Sequence, residues 1–153
     1  MHFFLKKHQK SDVGLKHDRV DKHKTIEMYR VVYNDCHGGF DLSEKGMAEY
    51  NHRTSQLTYP DGITRDDPVL LHMVDTMDPA VINSEYSRLK IKEFPIIFRE
   101  FLEWREYDGL ESVRVDYHKY IVHTVKSILD ADVSAEEKIG RISQLYADCT
   151  GSL

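Results

Sequence analysis

The stretch that decides the fold is residues 25–43, TIEMYRVVYNDCHGGFDLS. Its first nine residues are rich in β-branched and aromatic types, which predicts a strand buried on at least one face. The chain then turns through Gly38 and Gly39, and Ser43 is a good N-cap for a helix over residues 43–54. The stretch therefore predicts a strand–Gly-Gly–helix unit, and we expect an α+β fold class.

A second helix and a second strand follow this unit. Asp66 or Asp67 caps the helix, and Pro68 lies in its first turn, where a missing N–H costs nothing. Residues 89–94 alternate in polarity with period two, and this predicts a strand that ends at Pro95. We expect a small sheet in this part of the chain.

A β-hairpin is predicted further along the chain. Asp108 and Gly109 form a two-residue hairpin signal that would pair residues 103–107 with 110–115. Residues 96–107 also fit a helical stripe, so helix and strand both stay open there. The turn signal favours the hairpin.

The C-terminal part reads as two amphipathic helices. Apolar residues recur at helical spacing over residues 117–129, and a break is predicted at 130–132. Ser134 and Glu137 then make a capping-box pattern that opens the last helix. Two helices with so short a link are expected to form an antiparallel pair.

The length of 153 residues is that of one domain with a substantial core. We expect a basic, His-rich N-terminal arm over residues 1–24 and a single α+β domain over 25–153. Within that domain, residues 25–116 are expected to form a mixed sheet core and residues 117–153 the helix pair.

The predicted arm differs from the rest of the chain in charge. Residues 1–24 hold seven basic and three acidic groups, although the whole chain has a net charge of −5. Such a segment is either a solvated tail or an arm that docks on an acidic surface. Partner contact is assigned to the first five basic residues, and nucleic acid would be bound only through them: Lys6, Lys7, Lys10, Lys16 and Arg19.

Composition also limits the location of the protein. No apolar run approaches the roughly 18 residues that a membrane span needs, and the first residues are too polar for a secretory signal. We therefore expect an intracellular protein without membrane contact. The two cysteines, Cys36 and Cys149, are expected to be free thiols.

The glycine loop is the main candidate ligand site. A Gly-rich turn before a helix can present N–H groups to an anion, and an arginine can clamp that anion. The candidate ligand-binding residues are Gly38, Gly39, Ser43 and Arg65, with an anionic, nucleotide-like small molecule as the ligand. No complete phosphate-loop pattern is present, and the glycines alternatively serve only to permit positive φ in a tight turn. Both interpretations stay open.

Catalysis and metal binding have less support in the sequence. Cys36 is the candidate nucleophile of a hydrolase or transferase, but it would need a nearby base. The carboxylates around the hairpin, Glu103, Glu106, Asp108 and Glu111, are expected to form a solvated face rather than an acid–base pair. No metal site, no cofactor and no catalytic residue beyond Cys36 are predicted.

Four short strings together resemble a family of small uncharacterised proteins of tailed phages and giant DNA viruses. They are Asn34-Asp35-Cys36-His37-Gly38-Gly39-Phe40-Asp41-Leu42-Ser43, Arg65-Asp66-Asp67-Pro68-Val69-Leu70, Leu89-Lys90-Ile91-Lys92-Glu93-Phe94-Pro95 and Glu106-Tyr107-Asp108-Gly109-Leu110-Glu111. The resemblance covers roughly residues 26–119. It implies a viral origin and a compact α+β domain with the hairpin, and it implies no activity.

These observations favour a non-enzymatic viral accessory or virion-associated protein. It would act in the host cytoplasm or the virion through protein–protein contacts of its arm and C-terminal helices. Its partners would be other viral or host proteins, or a second copy of itself. The ligand binder and the Cys36-dependent enzyme remain the alternatives.

Overall fold

The computed structural model describes residues 26–150. The predicted arm over residues 1–24, with its candidate partner-binding residues Lys6 to Arg19, lies outside the described residues. Among the described residues no helix combines the length and the apolar content that crossing a bilayer requires.

The strands form two separate antiparallel pairs. Strand β1 (Met28–Asn34) pairs with β2 (Leu89–Pro95), and β3 (Leu102–Tyr107) pairs with β4 (Leu110–Val115). The predicted hairpin is confirmed. The chain thus has two small sheets of two strands each.

The helices follow the predicted order, and their N-caps explain where they begin. The Ser43 hydroxyl accepts a hydrogen bond from the Gly46 N–H, and the Asp67 carboxylate accepts from two N–H groups in the first turn of its helix. A short extra helix follows this second helix. The α-helices are α1 (Glu44–Thr54), α2 (Pro68–Thr76), α3 (Pro79–Ile82), α4 (Tyr117–Asp130) and α5 (Ala135–Thr150).

The ambiguous segment contains both kinds of structure. Residues Ile96–Phe101 form a 3-10 helix, and β3 begins directly after it. The helical stripe and the hairpin signal were therefore each correct for half of the segment. A second 3-10 turn lies at Pro60–Gly62.

Strand β1 separates two hydrophobic clusters. Val32 packs into the larger cluster with residues of α1, α2 and α3, among them Leu70 and Met73. Val31 points to the opposite face and packs with Phe94 and Val113, which join the two sheets. The α+β fold class is confirmed, with the last two helices in the C-terminal region.

Helix α4 is attached to this body mainly by aromatic rings. The ring of Tyr120 lies 5.0 Å from that of Phe98 and 5.3 Å from that of Phe101, both edge-on. Ile128 is the buried residue of α4. Helix α5 is less covered, because residues 135–149 are all at least partly exposed.

Candidate functional site

The glycine loop packs tightly against neighbouring backbone. Gly38 has φ +126° and Gly39 has φ +105°, conformations that side-chain-bearing residues rarely adopt. A Cβ at Gly38 would overlap the Tyr86 carbonyl oxygen. The Gly38 N–H donates to the Asp108 carbonyl at 3.1 Å, so it is already used within the fold.

The hairpin turn is the surface on which this loop packs. Asp108 and Gly109 both have positive φ, as a type I′ turn requires. A Cβ at Gly109 would overlap the backbone nitrogens of Gly38 and Gly39. The two glycine-containing turns, distant in sequence, therefore form one backbone junction.

Asn34, which is 0% exposed, connects this junction to both sheets. Its amide nitrogen donates to the carbonyls of Cys36 and Gly109 at 2.7 and 2.8 Å. Its amide oxygen accepts from the Arg88 N–H at 2.7 Å. Its own backbone N–H donates to Glu111 at 2.7 Å.

Glu111 and Arg65 form an ion pair beside this amide. One Glu111 oxygen accepts from Asn34 and the other accepts from the Arg65 guanidinium. The guanidinium carbon lies 3.3 Å from the centroid of the Phe40 ring. Burial lowers the pKa of Arg65, and the Glu111 carboxylate partly offsets that shift.

The buried position of Glu111 corrects one expectation. Its neighbours Glu103, Glu106 and Asp108 are at least partly exposed, but Glu111 is buried. The alternation along the strands predicted a solvated face for all four carboxylates. It could not show that Glu111 is buried, because its partner Arg65 lies 46 residues away in sequence. Nor did any local signal single out Asn34.

An open cleft of about 570 Å³ lies over the ion pair. Gly39 and Arg65 both line it, so the structure brings two of the predicted ligand-binding residues together. Asp61 and Glu106 also line the cleft, so carboxylates outnumber the one guanidinium. Ser43 lies elsewhere, with its hydroxyl donating to the Val81 carbonyl and accepting from α1. Ligand binding by these residues stays a prediction.

Cys36 lies beside the junction, and within residues 26–150 its thiol has no basic partner. Its thiol is 3.4 Å from the Asn34 amide oxygen and 3.4 Å from the Tyr86 carbonyl, and neither is a general base. His37 is directed at the hairpin turn, 3.8 Å from the Asp108 carboxylate. Within residues 26–150 no three His, Cys, Asp or Glu side chains are grouped so that they could hold a metal ion.

Unlike the packed junction, the pair of C-terminal helices α4 and α5 has large apolar side chains exposed to solvent. On α4, Val122 and Leu129 are 55% and 54% exposed, and on α5, Ile139 and Tyr146 are 65% and 72% exposed. We call these four side chains the helix-pair face. Each pair is seven residues apart, so each lies along one side of its helix.

Comparison with known proteins yields no relative for this chain. No family model matches it, and neither a curated protein nor a solved structure is significantly similar to it. The resemblance to the viral family therefore stays a prediction.

Proposed function

We propose that this is a non-enzymatic protein that acts through protein–protein contacts at its helix-pair face. The observation that carries the proposal is the exposure of four large side chains, Val122, Leu129, Ile139 and Tyr146, each more than half accessible. Scattered apolar residues are ordinary on a protein surface, but rows of exposed apolar residues along a helix are typical of interaction sites.

The poor coverage of α5 supports the same proposal. An isolated helix of about 12–15 residues is marginal in water, so most helices depend on packing of an apolar face. Helix α5 is 16 residues long and carries Gly140 in its interior, which weakens it further. A partner on the helix-pair face would provide the packing that the body of the chain does not.

A viral accessory or virion-associated role is part of the proposal. Its support is the likeness of the four sequence strings to the phage and giant-virus family. The basic residues from Lys6 to Arg19 fit a second protein contact, with an acidic partner surface. The host cytoplasm or the virion is the proposed location.

Site-specific photo-crosslinking in cells that make the protein tests the contact. A benzoyl-phenylalanine in place of Ile139 is expected to form protein adducts that mass spectrometry can identify. The matched control carries the same group in place of Leu57, a residue that is 83% exposed but lies outside the helix pair. No adduct at position 139, or the same adducts at both positions, would contradict the proposal.

The cleft supports a second candidate function, binding of an anionic small molecule. Its support is that Gly39 and Arg65 line one open space. A thermal-shift screen of nucleotides and inorganic phosphate is expected to show stabilisation that Arg65→Ala removes. Stabilisation that persists in Arg65→Ala, or none with any anion, would count against this site.

A further inference from the structure

We infer that the partner at the helix-pair face is a second copy of this chain, so that two α4–α5 hairpins form a four-helix bundle. This inference rests on the proposed function, because it names the protein that covers the same face. A pair of helices leaves apolar side chains exposed to solvent, whereas four packed helices can enclose such side chains in a common core.

The two helices present matching apolar rows. Val122, Val125 and Leu129 lie along α4 at spacings of three and four residues, and Ile139, Ile142 and Tyr146 repeat that spacing on α5. In each row the middle residue is half-buried and the outer two are exposed. This spacing is that of a seam between packed helices.

The charges beside these rows indicate how the copies would pair. A residue three positions before another is its neighbour on the helix surface. On α4 the residues three before Val122 and Leu129 are Lys119 and Lys126. On α5 the residue three before Ile139 is Glu136. Packing α4 against the second copy's α5 would therefore bring lysines towards a glutamate.

These flanking charges are available for a partner. The neighbouring charges of α5 are occupied, since Arg141 pairs with Glu137 at 2.7 Å and the Lys138 ammonium donates to the Leu129 carbonyl at 2.7 Å. Within residues 26–150, by contrast, the side chains of Lys126 and Glu136 make no ion pair or hydrogen bond. Under two-fold symmetry, each contact between α4 and the opposite α5 would occur twice.

Sedimentation velocity of the full chain over a wide concentration range tests the inference. The wild type is expected to form a dimer. Lys126→Glu and Glu136→Lys are each expected to raise the dissociation constant of the dimer about tenfold. Each change replaces an attraction between Lys126 and Glu136 of opposite copies with a repulsion, at two symmetric places. The double variant is expected to regain most of the lost affinity. Lys45→Glu on α1 makes the same charge change outside the pair and is expected to have no effect.

Three results would overturn the inference. They are a monomer at every concentration, a dimer that is indifferent to both charge reversals, and single-variant losses that the double variant does not restore. Circular dichroism of each variant separates misfolding from lost association. Adducts at position 139 that contain only other proteins would keep the proposed function while removing the second copy, and a lack of any adduct would remove both.

Discussion

Asn34 shows how one residue holds the centre of the molecule together. A buried amide is costly unless its donors and acceptors are paired, and the Asn34 side chain is paired with groups from three different loops. It fixes the end of β1 relative to the hairpin turn and to the start of β2. The geometry of the junction therefore depends on this amide.

Replacing Asn34 with leucine is expected to lower the free energy of unfolding by roughly 3 kcal/mol. The change keeps the volume similar but leaves the carbonyls of Cys36 and Gly109 and the Arg88 N–H without partners. Urea denaturation measures the loss. Asn51→Leu is the control, because within the described part of the chain that amide bonds only to the nearby Thr58 backbone, at a partly exposed site. Equal losses for the two variants would contradict the role given to Asn34.

A pH effect is expected from Asp66. Burial acts to raise the pKa of this carboxyl, but hydrogen bonds from Thr64 and Tyr29 and the charge of Arg99 outweigh it and hold the pKa below its usual value. A carboxyl whose pKa is lowered on folding stabilises the protein above its unfolded pKa, and that contribution is lost as pH falls through the folded pKa.

The difference in the free energy of unfolding between wild type and Asp66→Asn is therefore expected to be constant above about pH 5 and to shrink as pH falls below about 4. Urea denaturation across this range measures it. Asp61→Asn, at an exposed carboxyl, is the control for the removal of one surface carboxylate. A difference of the same size in acid and at neutral pH would contradict the lowered pKa of Asp66.

Turn chemistry made several elements predictable at the element scale. The caps at Ser43 and Asp67 and the turn at Asp108-Gly109 are set by residues close in sequence, so local patterns located them. The contact between the glycine loop and the hairpin turn was not predictable, since it joins segments about 70 residues apart. The burial of Glu111 depends on the same kind of distant contact.

Two glycine-to-alanine changes are expected to have opposite effects. Gly38→Ala should destabilise the protein by more than about 2 kcal/mol, because φ is positive and the methyl group would meet the Tyr86 backbone. Gly140→Ala should stabilise it by about 0.5–1 kcal/mol, since the site is helical and open. Thermal unfolding measures both changes, and a neutral Gly38→Ala would show that the junction is not tightly packed.

At the scale of the whole molecule, the chain divides into a packed body and a poorly covered helix pair. Helical periodicity predicted α4 and α5, because apolar spacing is a property of the sequence itself. It did not predict that Ile139 and Tyr146 would stay exposed, since that depends on how much surface the body offers. This mismatch is the basis of the proposed association.

Hydrogen exchange of the α5 amides, measured for the full chain at a low and a high protein concentration, tests this account most directly. A helix with little packing opens easily, whereas one held in a four-helix bundle exchanges slowly. The account predicts that exchange in α5, around Ile139 and Tyr146, slows markedly at the high concentration, while exchange in β1 does not change. Rapid exchange in α5 that is the same at both concentrations would contradict it.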